Sequence, residues 1–440
     1  MTIGDINPFQ CGRPIADPDA FFGRRRELRR LSSHLHQLHW VSVVGPRRIG
    51  KTSLLLQLRH RQVMTRMGLD PSLHAVAFVD CQGLSDLDSE GWQALLVKRA
   101  AKALGFSPVP PVRDSFEFQE AFHLLLAGGR KLILMLDEFE SMVVNPHLDV
   151  DFFNLLRSLS TDMPLAIVTA SRTSLSELTY QDRSVLSSPF FNVFNALRIG
   201  LLEEEAARAL LRRPEAGFAA ETVEFLLGLA GPHPFFLQLA GSYAFEWQKG
   251  GHLDETARAE VCQELQEELA KHLSYTWNHL SPRARYFLVT LPLVREHEPA
   301  LRELQEACLV QDKAYLSPLV ELFVRQQVVP DVVQAGGLWA DLRRRQAVWC
   351  GQPISLSDLA YRVLCYFLRH PNRPIPWLQL ELAVWGELEN LPDDYQGNPE
   401  RVDAAVNRVR KVLREIGAGT PIYLRSGAYT FDSSQLNPCP

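Results

Sequence analysis

The stretch Gly45-Pro46-Arg47-Arg48-Ile49-Gly50-Lys51-Thr52 lies between the apolar run Trp40 to Val44 and the apolar run Leu54 to Leu58. It reads as a phosphate-binding loop. In the spacing G-x-x-x-x-G-K-T two glycines free the backbone to curl, so that successive N–H groups and the start of the next helix point at phosphate oxygens. Lys51 then sits on the β- and γ-phosphates. Thr52 offers its hydroxyl to Mg²⁺, a cation that keeps most of its own waters and needs few protein ligands. Pro46, Arg47, Arg48, Ile49 and Ser53 complete the expected nucleotide-binding stretch, and ATP or ADP is the expected cofactor. A plain turn before a helix is the competing reading, but a β-rich run before the loop and a Leu-rich helix after it form the context this motif requires.

Outward from the loop, strand-like runs fall at His39 to Val44, Ala75 to Val79, Leu132 to Leu136, Leu165 to Thr169 and Ala196 to Leu201, with helical patterns between most of them. Such alternation predicts a parallel sheet covered by helices on both faces. The third run is hydrophobic until it ends in Asp137-Glu138, at the strand end where ligands sit in these sheets. Asp137 suits a carboxylate supporting Mg²⁺. Glu138 suits the residue that orients or deprotonates the attacking water, because phosphoryl transfer is mostly positioning plus charge stabilisation. Two acids capping the next helix is the alternative. The fourth run ends in Thr169-Ala170-Ser171-Arg172, where Arg172 either reports the γ-phosphate or faces solvent. Upstream, Phe21-Phe22 could stack on adenine or pack in the core.

Beyond the sheet, Leu202 to Leu211 carries Glu203, Glu204 and Glu205 in its first turn and Arg208, Arg212 and Arg213 toward its end. That order complements the helix dipole, so these acids are read as structural. Helices continue over Glu221 to Leu229, break at Gly231-Pro232-His233-Pro234 and resume over Phe235 to Gln248, a small helical lid.

Phe22-Gly23-Arg24, the Gly45 to Thr52 loop, Leu136-Asp137-Glu138, Thr169 to Arg172 and His233-Pro234 resemble the AAA+-related signal-transduction ATPases with numerous domains (STAND) and the related origin-recognition ATPases, over roughly residues 8 to 250. The resemblance implies that Gly23 and Arg24 belong to the adenine-side motif, Arg172 to the sensor position, and His233 and Pro234 to a lid motif that contacts nucleotide. Pro232 departs from the pattern, which more often has glycine there, and no second sensor arginine is identifiable. Arg183 and Arg198 are arginine-finger candidates by location alone.

From Asp254 to Gln266 the pattern is a charged linker helix. Tyr275 to Leu280, Pro282 to Leu291 and Leu316 to Gln326 then suggest a helical, winged-helix-like module with no catalytic constellation. Farther on, Gln334 to Val348 could form hairpin strands. Amphipathic helices follow at Leu356 to Arg369, Trp377 to Trp385 and Pro399 to Gly417, and a hairpin over Ile422 to Phe431 breaks at Ser426-Gly427. Ile354-Ser355-Leu356, Val384-Trp385-Gly386, Val402-Asp403, Arg408 to Leu413 and Arg425 to Phe431 resemble the output domain of response-regulator transcription factors, over residues 338 to 432, with Ser426 and Ala428 where that family has glycines.

On the third of these helices Val402, Val406, Val409 and Leu413 form one apolar stripe. The opposite face carries Ala404, Asn407, Arg408, Lys411 and Arg414. Arginine and asparagine can read guanine and adenine edges, and the other basic groups, with Arg425 in the wing, suit phosphates. Yet residues 340 to 440 hold 12 Lys and Arg against 11 Asp and Glu, so the partner is either DNA or a protein docked on the winged helices.

The remaining composition sets bounds. A chain of 440 residues with net charge −5 argues against wholesale electrostatic binding to nucleic acid or anionic membrane. The seven scattered cysteines never form C-x-x-C, which indicates neither a disulfide frame nor zinc. No apolar run approaches the roughly 20 residues of a membrane span, so a cytoplasmic protein is expected. The plan is an N-terminal arm (1–20), an α/β P-loop ATPase core (21–200), a helical lid (201–252), a linker helix with a winged-helix-like module (253–333) and a C-terminal winged helix-turn-helix domain (334–440). The function it suggests is an ATP-hydrolysing switch coupled to DNA binding. The alternative is a signalling scaffold or assembly ATPase, with nucleotide-dependent homo-oligomerisation.

Overall fold

Five apolar strands form a parallel sheet: β1 (Val41–Val44), β2 (His74–Asp80), β3 (Lys131–Asp137), β4 (Leu165–Ser171) and β5 (Asn195–Arg198). The computed structural model describes residues 6–181, 189–291, 299–385 and 397–438. The sheet order is β2-β3-β4-β1-β5. Val44 pairs with Ser171 of β4 and Arg198 of β5, and Asp80 pairs with Asp137, so the C-terminal ends of the strands share one edge. Every residue of β1 and β4 is buried, as expected for central strands covered on both sides. The five predicted runs are therefore the five strands.

The covering helices are α1 (Arg25–His36), α2 (Lys51–Gln57), α3 (Arg61–Arg66), α4 (Ser89–Leu104), α5 (Ser115–Leu126), α6 (Glu140–Val143), α7 (Val150–Asp162) and α8 (Leu175–Gln181). Short acids start several of them. Asp88, Asp114 and Asp149 accept hydrogen bonds from the amides of Gly91, Glu117 and Phe152 at 2.8, 2.8 and 3.0 Å, each satisfying an otherwise orphaned first-turn donor. Trp92, Phe118, Phe122, Phe139 and Phe153 pack against the sheet in one core.

The lid comprises α9 (Glu204–Leu211), α10 (Ala220–Ala230) and α11 (Pro234–Trp247). Arg208 pairs with Glu204 at 2.5 Å and with Glu224 at 2.9 Å, so at least this acid of the α9 first turn serves the helix. The segment before α1 runs as an arm from lid to phosphate loop. Asn7 donates to Ser242, the Gln10 amide donates to Gln238 at 3.0 Å, and Arg213 donates to the Pro8 carbonyl while lying over the Phe9 ring. Eight residues on, the Ile15 amide donates to Ser53 at 2.9 Å and Gln57 donates to the Ile15 carbonyl.

The chain divides into two units, residues 1–269 with 306–308 and residues 270–305 with 309–440. The division falls within α12 (Glu255–His279), where two separate helices were expected. Ala257, Val261, Leu265, Leu269, Leu273 and Trp277 recur every four residues and are all buried, and no Gly or Pro interrupts them. One helix results. The charges of Glu267, Glu268 and Lys271 mask that stripe in the sequence.

The second unit continues with α13 (Pro282–Val289), α14 (Pro299–Glu306), the hairpin β6 (Val310–Gln311) and β7 (Ala314–Tyr315), and α15 (Pro318–Arg325). An antiparallel sheet of β8 (Val332–Ala335), β9 (Leu338–Asp341), β10 (Gln346–Trp349) and β11 (Gln352–Ile354) precedes α16 (Asp358–Arg369). Then come β12 (Pro374–Pro376), α17 (Trp377–Trp385), α18 (Pro399–Glu415), β13 (Ile422–Arg425) and β14 (Ala428–Phe431). Asp341, fully buried, accepts from the Tyr286 hydroxyl at 2.7 Å and from the amides of Arg343 and Arg344, and its carbonyl accepts from Tyr361. One residue thus joins α13, the β8–β11 sheet and α16.

Among the described cysteines Cys11, Cys81, Cys262, Cys308 and Cys365 are free. Cys350 is disulfide-bonded. No described helix is long and apolar enough to cross a membrane.

Candidate nucleotide site and recognition helix

The phosphate loop leaves β1 at Gly45, whose amide donates to the Ser171 carbonyl at 3.2 Å. A side chain there would not fit: a Cβ on Gly45 would lie 2.5 Å from the Ile199 carbonyl oxygen. Gly50 has φ +99°, a left-handed backbone that glycine adopts without strain, and it leads directly into α2. Ile49 is buried beneath the loop while Arg47 and Arg48 are exposed. The Lys51 ammonium is itself buried, donating to the carbonyls of Gly45 and Pro46 at 2.9 and 3.0 Å. Its pKa is lowered by desolvation, against the pull of Glu138, Glu140 and Asp137.

The three elements that carry the predicted chemistry meet at this edge. The Thr52 hydroxyl donates to Asp137, which is 2% exposed. Burial raises the Asp137 pKa and the Thr52 hydrogen bond opposes the rise. Asp137 Oδ1 has no hydrogen-bond partner among the described residues, so a buried oxygen stands beside a hydroxyl, a donor set that fits a hard divalent cation. Glu138 is half-buried at φ +48°, a conformation seldom held by a non-glycine residue and concentrated at functional sites. Burial, then the neighbouring Glu140, raises its pKa. Arg172 follows Ser171 at the end of β4 and bonds Glu140 through Nε at 2.8 Å. Lys51, Asp137, Glu138 and Arg172 are thus brought together.

The other predicted site residues have different surroundings. Gly23 has φ +74° and lies against α9, where a Cβ would meet Ala206 at 2.7 Å. Arg24 is 5% exposed and donates to the Ile49 carbonyl at 2.9 Å and the Leu201 carbonyl at 3.2 Å, bracing the phosphate loop against the start of the lid. Ser53 holds the arm through Ile15. His233 caps α11, buried, with its ring stacked on Phe236 at 4.1 Å, and Pro234 opens that helix. Phe21 packs on the core, whereas Phe22 lies beside Arg213. Arg183 lies outside the described residues. Sequence reasoning missed Glu140, which reads as a helix-starting acid. Arg48, expected in the nucleotide-binding stretch, donates to the Cys11 carbonyl at 2.8 Å and lies 4.5 Å over the Phe235 ring.

In the second unit the apolar stripe of α18 is buried throughout: Val402, Val406 and Val409 at 0% and Leu413 at 1% exposure. Asn398 caps the helix by accepting from the Arg401 amide at 3.0 Å. Asn407, Arg408, Lys411 and Arg414 are exposed together, as is Arg425 in the hairpin. Asn407 also accepts from Arg410, which in turn donates to the Ile422 carbonyl and ties helix to hairpin. Asp403 accepts from the Tyr429 hydroxyl on the same side.

A family described as Novel STAND NTPase 2 matches residues 120–291. The two-component response regulator PhoP of Pseudomonas aeruginosa is 32% identical over 104 residues, which are 23% of this chain and 44% of that protein; the chain thus spans under half the length of that relative. Among solved structures, a Walker-type ATPase of Pyrococcus abyssi superposes with a TM-score of 0.51 at 15% identity, covering 74% of this chain and all of that one, a likeness of fold. The ORC2 protein of Aeropyrum pernix gives 0.46 at 14% identity over 72% of this chain and 98% of its own. The chain joins a core with the fold of a Walker-type ATPase, part of it similar to STAND NTPases, to a C-terminal domain similar to a response regulator.

Proposed function

We propose that this protein is an ATP-hydrolysing switch that couples nucleotide state to DNA binding by its C-terminal winged helix. The observation that carries the reading is one chain holding both a Thr52–Asp137–Glu138 constellation beside a phosphate loop and an exposed Asn407, Arg408, Lys411 and Arg414 face on a helix whose other side is buried. In the nucleotide site Lys51 leaves the Gly45 and Pro46 carbonyls for the β- and γ-phosphates, and the loop amides hold the same oxygens. Thr52 and Asp137 would hold Mg²⁺, which would supply positive charge against the phosphates. Glu138, its proton affinity raised by burial, orients the attacking water and takes its proton. Arg172 meets the γ-phosphate and distinguishes ATP from ADP.

Switching requires that ATP and ADP favour different conformations; equal affinity for both shifts nothing. The test is fluorescence anisotropy of random duplex DNA with the full chain, in ADP and in ATP with Mg²⁺, with Lys51→Ala as the nucleotide-blind control. Salt-sensitive binding that differs between nucleotides in wild type and not in Lys51→Ala supports the switch. Identical binding in every state removes the coupling.

A second reading is a scaffold or assembly ATPase whose winged helices dock protein. It is favoured by Tyr423 and Leu424, 43% and 49% exposed on the hairpin, and by the nearly balanced charge of residues 340–440. Absence of DNA binding together with ATP-dependent oligomers by light scattering would select it.

A further inference from the structure

We infer that Glu140 is a positioning residue that holds Arg172 away from the γ-phosphate site and so sets how strongly the protein prefers ATP to ADP; this rests on the nucleotide-switch reading above. The pair is built by neighbouring strands. The Phe139 amide donates to the Ala170 carbonyl at 2.9 Å, which fastens the turn after β3 directly beside the end of β4. The Ser141 amide donates to the Glu138 carbonyl at 2.9 Å and keeps that turn tight. Glu140 Oε1 thereby accepts from Arg172 Nε at 2.8 Å, with the Glu140 side chain 9% and the Arg172 side chain 36% exposed. One residue before Arg172, the Ser171 carbonyl accepts from Gly45 of the phosphate loop. The guanidinium therefore lies within the field of Lys51, at the edge where a terminal phosphate arrives.

Two further observations give the pair direction. Glu140 is 7% exposed, and its second oxygen, Oε2, is buried without a hydrogen-bond partner among the described residues. A buried carboxylate is stable where a guanidinium faces it and is costly once that partner leaves. When Arg172 turns to a γ-phosphate, Glu140 loses its hydrogen-bonded cation, and part of the phosphate's attraction is offset. ADP has no terminal phosphate at this position and leaves the pair intact. Glu140 thus penalises ATP selectively, and the penalty acts only through Arg172.

The prediction concerns binding, independent of turnover. Affinities of the full chain for ADP and for the non-hydrolysable analogue AMP-PNP are measured with Mg²⁺ by competition against a fluorescent ADP. Glu140→Gln keeps the shape and removes the charge. It should tighten AMP-PNP about five- to thirtyfold, the low range for a charge-assisted hydrogen bond because Arg172 is a third exposed, and change ADP less than about twofold. In an Arg172→Ala background the same substitution should leave the AMP-PNP to ADP ratio unchanged. Glu140→Asp, which retains charge but withdraws it by one methylene, should fall between, and it supplies the measurement should Glu140→Gln fold poorly. Equal effects on both nucleotides, or an effect that survives Arg172→Ala, overturns the inference while leaving the ATPase reading intact. Failure of the wild type to bind either nucleotide overturns that reading and the inference with it.

Discussion

Removing one charge from α18 tests the DNA reading quantitatively, because phosphate contacts leave a signature in salt. Five exposed basic side chains, Arg401, Arg408, Lys411, Arg414 and Arg425, lie on the helix or its hairpin. If each neutralises one phosphate at about 0.9 per contact, log K against log salt has a slope near −4.5, and a rise from about 50 to 200 mM salt weakens binding about 500-fold. Lys411→Ala should lower the slope to about −3.6 and the loss to about 150-fold. The effect should be the same on every sequence, since a lone ammonium on a phosphate carries no base information. Lys411 is a suitable probe because it is 76% exposed and its ion pair with Glu415, at 3.8 Å, is solvent-screened, so its loss leaves the fold intact. Anisotropy titrations of the full chain on a random duplex pool, at four or more salt concentrations, give both slopes. A wild-type slope near zero, or one that Lys411→Ala does not reduce, would refute the assignment of this face to DNA.

Glu138→Gln should retain ATP and slow hydrolysis by about 10²- to 10⁴-fold, as for loss of a general base; a wild-type rate by phosphate release removes Glu138 from the water. Because burial raises its pKa, wild-type turnover should fall as pH drops at a pH above the ordinary carboxylate range, a limb that the glutamine variant lacks. The same raised values at Asp137 and Glu138 mean that the folded protein binds more protons than the unfolded one in the window between the ordinary and raised pKa. Stability without nucleotide should therefore fall as pH rises through that window, and thermal melts across it give the sign. Gly45→Ala places a methyl 2.5 Å from the Ile199 carbonyl; overpacking should cost about 1 to 3 kcal/mol and displace the loop, weakening nucleotide binding. Unchanged nucleotide affinity would show that the loop yields freely. Asp341→Ala leaves the Tyr286 hydroxyl and two amides without their acceptor and should destabilise the second unit by about 3 to 5 kcal/mol. Urea unfolding followed through the fluorescence of buried Trp339 and Trp349 would contradict this if its midpoint did not move.

What the sequence disclosed follows from how local the physics is. The phosphate loop is read from eight adjacent residues, and β3 announces itself because a strand buried on both faces must be apolar until Asp137. The stripe of α18 is periodic within one helix, so its buried and exposed faces are legible without any partner. Glu140 was not legible: its role depends on Arg172, 32 positions away, and only the pairing of β3 with β4 brings them together. Arg24 was assigned by resemblance to the adenine side, yet its guanidinium is engaged by backbone carbonyls of the loop and the lid, acceptors that leave no trace in side-chain identity. The Asp341 hub is equally silent, one acid in a strand whose partners Tyr286 and Tyr361 come from separate helices.

The arm also bears on the order in which the molecule can be assembled. Asn7 bonds Ser242, 235 positions later, and Ile15 bonds Ser53 only 38 positions on. During synthesis the second contact becomes available early, while the first must wait until α11 has been made. The earliest residues of this unit are therefore among the last to find their places, and contacts of such separation form slowly. Until then Phe9 has no Gly241 to lie against, and the lid meets the phosphate loop without the arm, through contacts such as Arg24 and the Arg48–Phe235 pair. A peptide matching residues 7–16, added during refolding, would compete for that late vacancy.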